Sequence, residues 1–267
     1  MTTPAFSAPI GRDRILAVIE RNFTATRFGP SYWILVLAGL FDPLFYLIAV
    51  GAALGAMMDK PIVYDGHAVS FTAFVAPAML ATSAISSVMG VSIAGFYAKL
   101  QYARTFEVML FTPVRTFEIV VGELFWAVVR STLFSTLFLC VLVAMRQVTP
   151  GEAFVALPAA VLTGAAFSAA GMAVTTYVRG WQDFDLIAIA QTAMMLFSGT
   201  FFPVTAYPQV IETIVQLTPL YHAIELLRMS TLGQVSPAHA VHVGYLLLML
   251  AGCLALTHRR IDKRLRG

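Results

Sequence analysis

Charge is what this chain has least of. Only 12% of its 267 residues are Asp, Glu, Lys or Arg, against 59% hydrophobic ones, where a soluble domain carries about 25% charge. With a mean hydropathy of +0.81, that scarcity excludes a soluble enzyme and identifies an integral membrane protein. Cysteine is nearly absent: Cys140 and Cys253 both fall inside apolar runs, so neither a disulfide framework nor a metal-ligand spacing can be built from them. There are three lysines, Lys60, Lys99 and Lys263, which follow Asp, Ala and Asp. No G-x-x-x-x-G-K-[ST] loop exists, and the chain cannot bind ATP through a phosphate loop of its own. The five histidines are scattered over loops and span ends. His239 and His242 share a helix face, but no carboxylate or cysteine lies near enough in sequence to complete a metal site, and no metal is expected. Four arginines precede the first apolar run, so residues 1–30 do not read as a cleavable leader. The net charge of +3 follows membrane topology rather than a nucleic-acid partner.

What is present is apolar length. A spanning helix needs about 20 mostly apolar residues, and six stretches qualify: 32–57, 71–96, 120–145, 154–178, 184–202 and 238–257. Thr149-Pro150-Gly151-Glu152 places a hydroxyl at the N-cap, Pro at the first helical position and Glu three residues on, which is a capping box. Ser236-Pro237 repeats the cap-then-Pro pattern before the sixth span. Thirteen Lys and Arg fall on the side of the two termini and three on the other, so the positive-inside bias puts both termini in the cytoplasm. Residues 1–267 read as one transmembrane domain: an amphipathic interfacial helix within 1–30, a six-span core over 31–258, and a basic tail over 259–267. The interfacial helix carries Ile15, Leu16, Val18, Ile19 and Phe23 at helical spacing, with Arg12, Arg14, Arg21 and Arg27 placed to reach anionic headgroups.

The stretch 99–126 is the one long polar interruption between two spans on the terminal side. Thr112-Pro113 breaks it, which predicts a short helix over 102–111 and a second from Pro113 onward that runs into the third span. Phe106, Met109, Leu110 and Phe111 meet water there unless something covers them. A short amphipathic helix in that place is a docking knob for a soluble partner or a helix lying on headgroups. Glu123, near the same end of the third span, is expected to pair with a loop cation.

On the opposite side, 203–237 is long and apolar for a loop, with two runs too short to cross a bilayer. They read as re-entrant helices that roof the core. Asp42, before Pro43 in the first span, is an intramembrane carboxylate and therefore a functional candidate, or a partner for backbone groups that Pro43 frees. Met194, Phe197, Phe201 and Phe202, mixed with Gln191, Thr192, Ser198 and Thr200, suit either the path of an amphipathic solute or ordinary span packing. Gly51 and Gly55, and Gly164, Ala165, Ser168 and Ala169, allow close helix contact.

Three blocks carry a family resemblance. They are Arg104-Thr105-Phe106-Glu107 with Met109-Leu110, Thr112-Pro113 and Gly122-Glu123; Phe197-Ser198-Gly199 with Phe201-Phe202-Pro203 and Tyr207-Pro208; and Pro219-Leu220 with His222, Glu225-Leu226 and Arg228. On these the chain resembles a permease subunit of the type-2 ABC exporters, the family of polysaccharide, drug-resistance and nodulation-factor exporters, in its nodulation protein J and daunorubicin-exporter branch. Tyr207 departs from the pattern, which has Leu. The resemblance implies an all-α membrane protein and a transport subunit rather than an enzyme. Two permeases, alike or different, pair in the bacterial inner membrane. Each docks a separate ATPase that holds ATP and Mg. Arg104, Thr105, Phe106, Glu107, Leu110, Thr112 and Pro113 would couple to that ATPase. A hydrophobic, lipid-linked or glycan-type substrate would pass Asp42, Tyr46, Met194, Phe197, Ser198, Phe201 and Phe202. The outer helices carrying Pro208, Pro219, His222, Glu225 and Arg228 would roof the path. The rival from another class is an ion-coupled carrier using Asp42; the inverted repeats that many carriers show are not evident. A lipid-modifying enzyme lacks the clustered His, Asp or Cys it would need.

Overall fold

A computed structural model of the chain describes residues 11–27, 41, 44–45, 47–51, 62–64, 66–88, 93–103, 105–233 and 236–266. Most of the expected first span, with Asp42 and Tyr46, lies outside them, as does Arg104. The described chain opens with α1 (Arg12–Arg27) and a π-helical turn at Leu47–Gly51. An antiparallel hairpin follows, β1 (Ile62–Tyr64) and β2 (His67–Val69), pairing Ile62 with Val69 and Tyr64 with His67. The all-α expectation is corrected here. Ile-Val-Tyr and His-Ala-Val flank Asp65-Gly66, and a two-residue Asp-Gly loop needs the left-handed backbone that Gly66 adopts at φ +78°.

The remaining helices are α2 (Phe71–Val88), α3 (Ala94–Gln101), α4 (Thr105–Met109), α5 (Thr116–Ala144), α6 (Pro150–Thr175), α7 (Asp183–Phe197), α8 (Gln209–Gln216), α9 (Pro219–Thr231) and α10 (Ala238–Arg266). A 3-10 turn, Val204–Ala206, lies between α7 and α8. Among the described residues, three helices are long and apolar enough to cross a membrane: α5, α6 and α10 over Ala238–Leu265. The apolar part of α2, Phe71–Ile85, and the 15-residue α7 are shorter.

α6 begins at its expected cap. The Thr149 hydroxyl accepts from the Glu152 N–H at 3.3 Å, and the Glu152 carboxylate accepts from the Thr149 N–H at 2.8 Å. α5 and α6 then pack antiparallel through their small residues. A Cβ on Gly164 would come within 2.5 Å of the Ser131 Cβ, so this close approach is made inside one chain. The core joins Phe74, Met79 and Leu80 of α2 to Phe138 of α5, Ala160 of α6 and Leu227 of α9.

α9 is the element whose place departs most from expectation. It buries ten of its 13 residues, His222, Glu225 and Arg228 among them, and packs on α2, α6 and α10. It is part of the packed core. α8 buries Val215 alone and presents Val210, Ile214 and Leu217 outward. The run of two short helices is present, but the two differ in kind.

Candidate functional site

The loop between α3 and α5 is tighter than its sequence suggests. α4 spans five residues, not 102–111. Before it, the Tyr102 and Ala103 N–H groups close α3 on the Ala98 carbonyl; after it, Leu110, Phe111 and Thr112 turn back on Phe106, Val108 and Met109. Pro113 sits in the turn, and α5 starts only at Thr116. Arg115 is extended and its N–H donates to Glu118 at 2.8 Å, so a carboxylate three residues on sets the helix start rather than the proline. Phe106 is corrected from exposed to 1% exposed, its ring 5.1 Å from that of Phe96 in a cluster with Ile119, Met172 and Ile261. Met109 and Leu110 are half-buried against the same cluster. The outward surface consists of Glu107, Val108, Phe111, Thr112 and Pro113, with Phe111 90% exposed. Thr105 is half-buried.

Beneath this loop lie two buried carboxylates. Glu118 accepts from the backbone N–H of Gly11 at 2.9 Å and has Arg14 at 3.7 Å, while the Glu118 backbone lies in the first turn of α5, where a negative charge is favoured. Glu123 takes Lys99 at 2.7 Å on both oxygens and the Asn22 amide at 3.1 Å, and Asn22 in turn accepts from Lys99 at 2.7 Å. The expected loop cation for Glu123 is therefore Lys99. Burial pulls the Lys99 ammonium below the ordinary lysine range, and Glu123 opposes that pull. α1 approaches α5 so closely that a Cβ on Gly122 would lie 2.6 Å from the Val18 side chain. Asp262 of α10 accepts from Thr116 at 3.0 Å, and Arg264 donates to Gln101 at 2.6 Å. α1, α3, α5 and α10 are thus bonded together directly under the loop.

A second charged cluster lies at the hairpin end. Arg228 donates to Glu225, to the Gly199 carbonyl at 3.0 Å and to the Phe74 carbonyl at 3.4 Å, with its guanidinium 3.8 Å above the Phe74 ring. Tyr64 donates to the other Glu225 oxygen at 2.5 Å. Burial first, and then the Glu225 carboxylate, push the Tyr64 phenol above its ordinary range. Gly199 has φ +73°, and a Cβ there would lie 2.9 Å from Val204. Ser198, expected to line a path, is instead buried and bonded to Thr218 at 3.3 Å, and Thr218 caps α9 by accepting from the Tyr221 N–H. Pro219 is at the first turn of α9 and Pro208 at the N-cap of α8. His222 meets His242 of α10 at 2.8 Å between Nδ1 atoms and stacks on Tyr245.

The α7 helix buries none of its described residues. Phe197 and Phe202 are exposed, while Met194 and Phe201 rest against the core. Met194 and Gln191 also line an apolar cavity of about 220 Å³ with Phe167, Leu220 and Met249.

The family profile described as "ABC-2 type transporter" matches residues 13–232. The chain belongs to the ABC-2 type transporter family. It is 35% identical to "Nodulation protein J" of Rhizobium leguminosarum bv. viciae over 95% of this chain and 97% of that protein. It is 33% identical to "Nodulation protein J" of Rhizobium meliloti (strain 1021), over 86% of each. "Inner membrane transport permease YadH" of Escherichia coli (strain K12) is 26% identical over 70% of this chain and 72% of that protein. As a member of this family the chain is a membrane permease, and both charged clusters lie within it. Sequence reading did not find Tyr64, the Gly199 carbonyl or His242 as partners of α9. For Tyr64 a signal existed in the Asp-Gly hairpin; for the other two the contacts join distant segments and leave none.

Proposed function

We propose that the chain is the permease subunit of an ATP-driven exporter in a bacterial inner membrane, with both termini in the cytoplasm and six crossings. ATP and Mg belong to a separate ATPase that docks on the surface made by Glu107, Val108, Phe111, Thr112 and Pro113. The observation that carries this reading is the pairing of an outward phenyl ring, Phe111, with an inward one, Phe106. One residue is free for a partner while the other fixes the loop to the bundle. A push on the loop then reaches α1 through Glu118 and Glu123, and α10 through Asp262. ATP-driven closure of two ATPases, one on each of two paired permeases, would shift the permeases between inward-closed and outward-open packings, since an input moves such an equilibrium only by binding one state better than the other.

A low density of charge along α7 and around the apolar cavity favours a hydrophobic, lipid-linked or glycan-type substrate, with polysaccharides and drugs as the classes to try first. Asp42 and Tyr46 of the first span, with Met194, Phe197, Phe201 and Phe202, stand as path residues, and Arg104 as a further coupling residue. The family assignment takes the place of the ion-coupled carrier built on Asp42. Proteoliposomes carrying this chain with its ATPase should move substrate only when ATP is supplied on the ATPase side. Transport driven by an ion gradient with the ATPase omitted would overturn the reading.

A further inference from the structure

The carboxyl-terminal turns of α10 hold a cluster of cations that the transport reading leaves unused. Arg260, Lys263 and Arg264 lie three and four residues apart, on one face of the helix. With Ile261 of the same helix, Leu100 of α3 and Thr176 at the end of α6, they line a cavity of about 380 Å³. None of these six lining residues is acidic, and like charges at this spacing repel one another unless an anion joins them. Charge counting alone accounts for basic residues at a membrane edge; it does not account for three of them converging on one hollow between three helices.

The level of the cavity in the bilayer follows from helix length. α10 has 29 residues, and at ~1.5 Å per residue it rises roughly 43 Å, more than the ~30 Å of hydrocarbon. Its final turns therefore stand in the headgroup layer. Aromatic rings collect at the same level. Trp181 stacks on Tyr102 at 5.9 Å and meets Tyr97 at 5.3 Å edge-on, and Arg260 lies 3.5 Å above the Tyr177 ring. Tyr and Trp favour the membrane–water boundary. The apolar part of the lining comes from Leu100 and Ile261, both buried in the bundle, and the cations Arg260, Lys263 and Arg264 are exposed beside them.

We propose that this cavity binds the phosphate of an anionic phospholipid. Basic pockets between membrane helices at this depth recognise such headgroups. Arg264, held by Gln101 at 2.6 Å, and Arg260, held over Tyr177, are fixed in place before any lipid arrives. This inference rests on the fold and the membrane setting alone and does not depend on what the permease transports.

The test uses the full chain in nanodiscs of phosphatidylcholine with one-fifth phosphatidylglycerol, with the lipid that survives detergent extraction counted by native mass spectrometry. Wild type should retain phosphatidylglycerol several-fold over its share of the bilayer. Arg260→Gln combined with Arg264→Gln should bring retention to within twofold of that share, whereas Arg259→Gln, exposed and outside the cavity lining, should leave it as in wild type. If the double variant fails to fold, the exposed Lys263→Gln should lower retention on its own. An equal loss from Arg259→Gln would reduce the effect to general charge attraction and overturn the proposal. Displacement of the lipid by an equimolar amount of inorganic phosphate would overturn the lipid assignment. Unchanged retention together with loss of a co-purifying ATPase would assign the cations to a protein partner and overturn the proposal as well.

Discussion

Two buried clusters of charge, one under the α3–α5 loop and one at the hairpin end, answer the same problem in opposite ways. Under the loop, each partner comes from a different helix: Asn22 from α1, Lys99 from α3 and Glu123 from α5. The Lys99 side chain keeps 24% of its exposure, so water can follow it if the helices slide. At the hairpin end, anion and cation sit three residues apart on α9, with Arg228 only 1% exposed. Two more guanidinium hydrogens go to carbonyls, one from α2 and one from the turn after α7. A planar fork held by fixed acceptors on three segments cannot slide without stranding donors. The first cluster is built as a joint and the second as a lock.

The lock should fail at the greatest cost. Arg228→Met leaves the Glu225 carboxylate buried with Tyr64 as its partner, a loss of about 3–5 kcal/mol that thermal unfolding in detergent would register. Arg228→Lys should recover little of it, because one ammonium cannot reach Glu225 and both carbonyls. At the joint, Glu123→Ala should cost less, about 2 kcal/mol, because Lys99 can turn to water. A loss equal to that of Arg228→Met would erase the distinction. Gly122→Ala acts on the same joint through shape. Its methyl would meet Val18 at 2.6 Å, and overpacking of this kind costs about 1–2 kcal/mol. Adding Val18→Ala should restore stability by making room, and a double variant no better than the single one would contradict the close approach.

The smallest effect is one of pH. Burial first, and His242 beside it, depress the His222 imidazole, so the folded protein takes up that proton less readily than the unfolded chain. Stability is then full above the ordinary imidazole value of about 6.5 and falls as pH drops through it. His222→Gln should flatten that slope, which a pH series of unfolding midpoints would show.

The sequence told most where a local rule was enough. The Thr149–Glu152 cap, the three longest apolar helices and a cation for Glu123 all appeared where local spacing put them, because a cap, a run length and a like-for-opposite pairing are short-range facts. α9 was placed among the outer re-entrant runs because it is apolar for a loop and too short to cross a bilayer, and its depth of burial was not foreseen. Burial became possible only once Glu225 and Arg228 neutralised each other and Arg228 found carbonyls 29 and 154 residues away, and no pattern within α9 records that. Phe106 and Phe111 differ in the same way. Both are apolar and lie five residues apart in one short loop, and spacing alone cannot say that one faces Phe96 and the other water. The hairpin was missed although its Asp-Gly turn was present, because its strands are three residues each, too short to display an alternating pattern.

The central claim is that the outward face of this loop is gripped by an energy-supplying partner. Co-purification of the ATPase with the Phe111→Asp variant tests it most directly, since Phe111 is 90% exposed and its loss should leave the permease as stable as wild type. The account predicts that the variant folds normally and comes off the column without its ATPase. A folded Phe111→Asp permease that still carries a full complement of ATPase would contradict it.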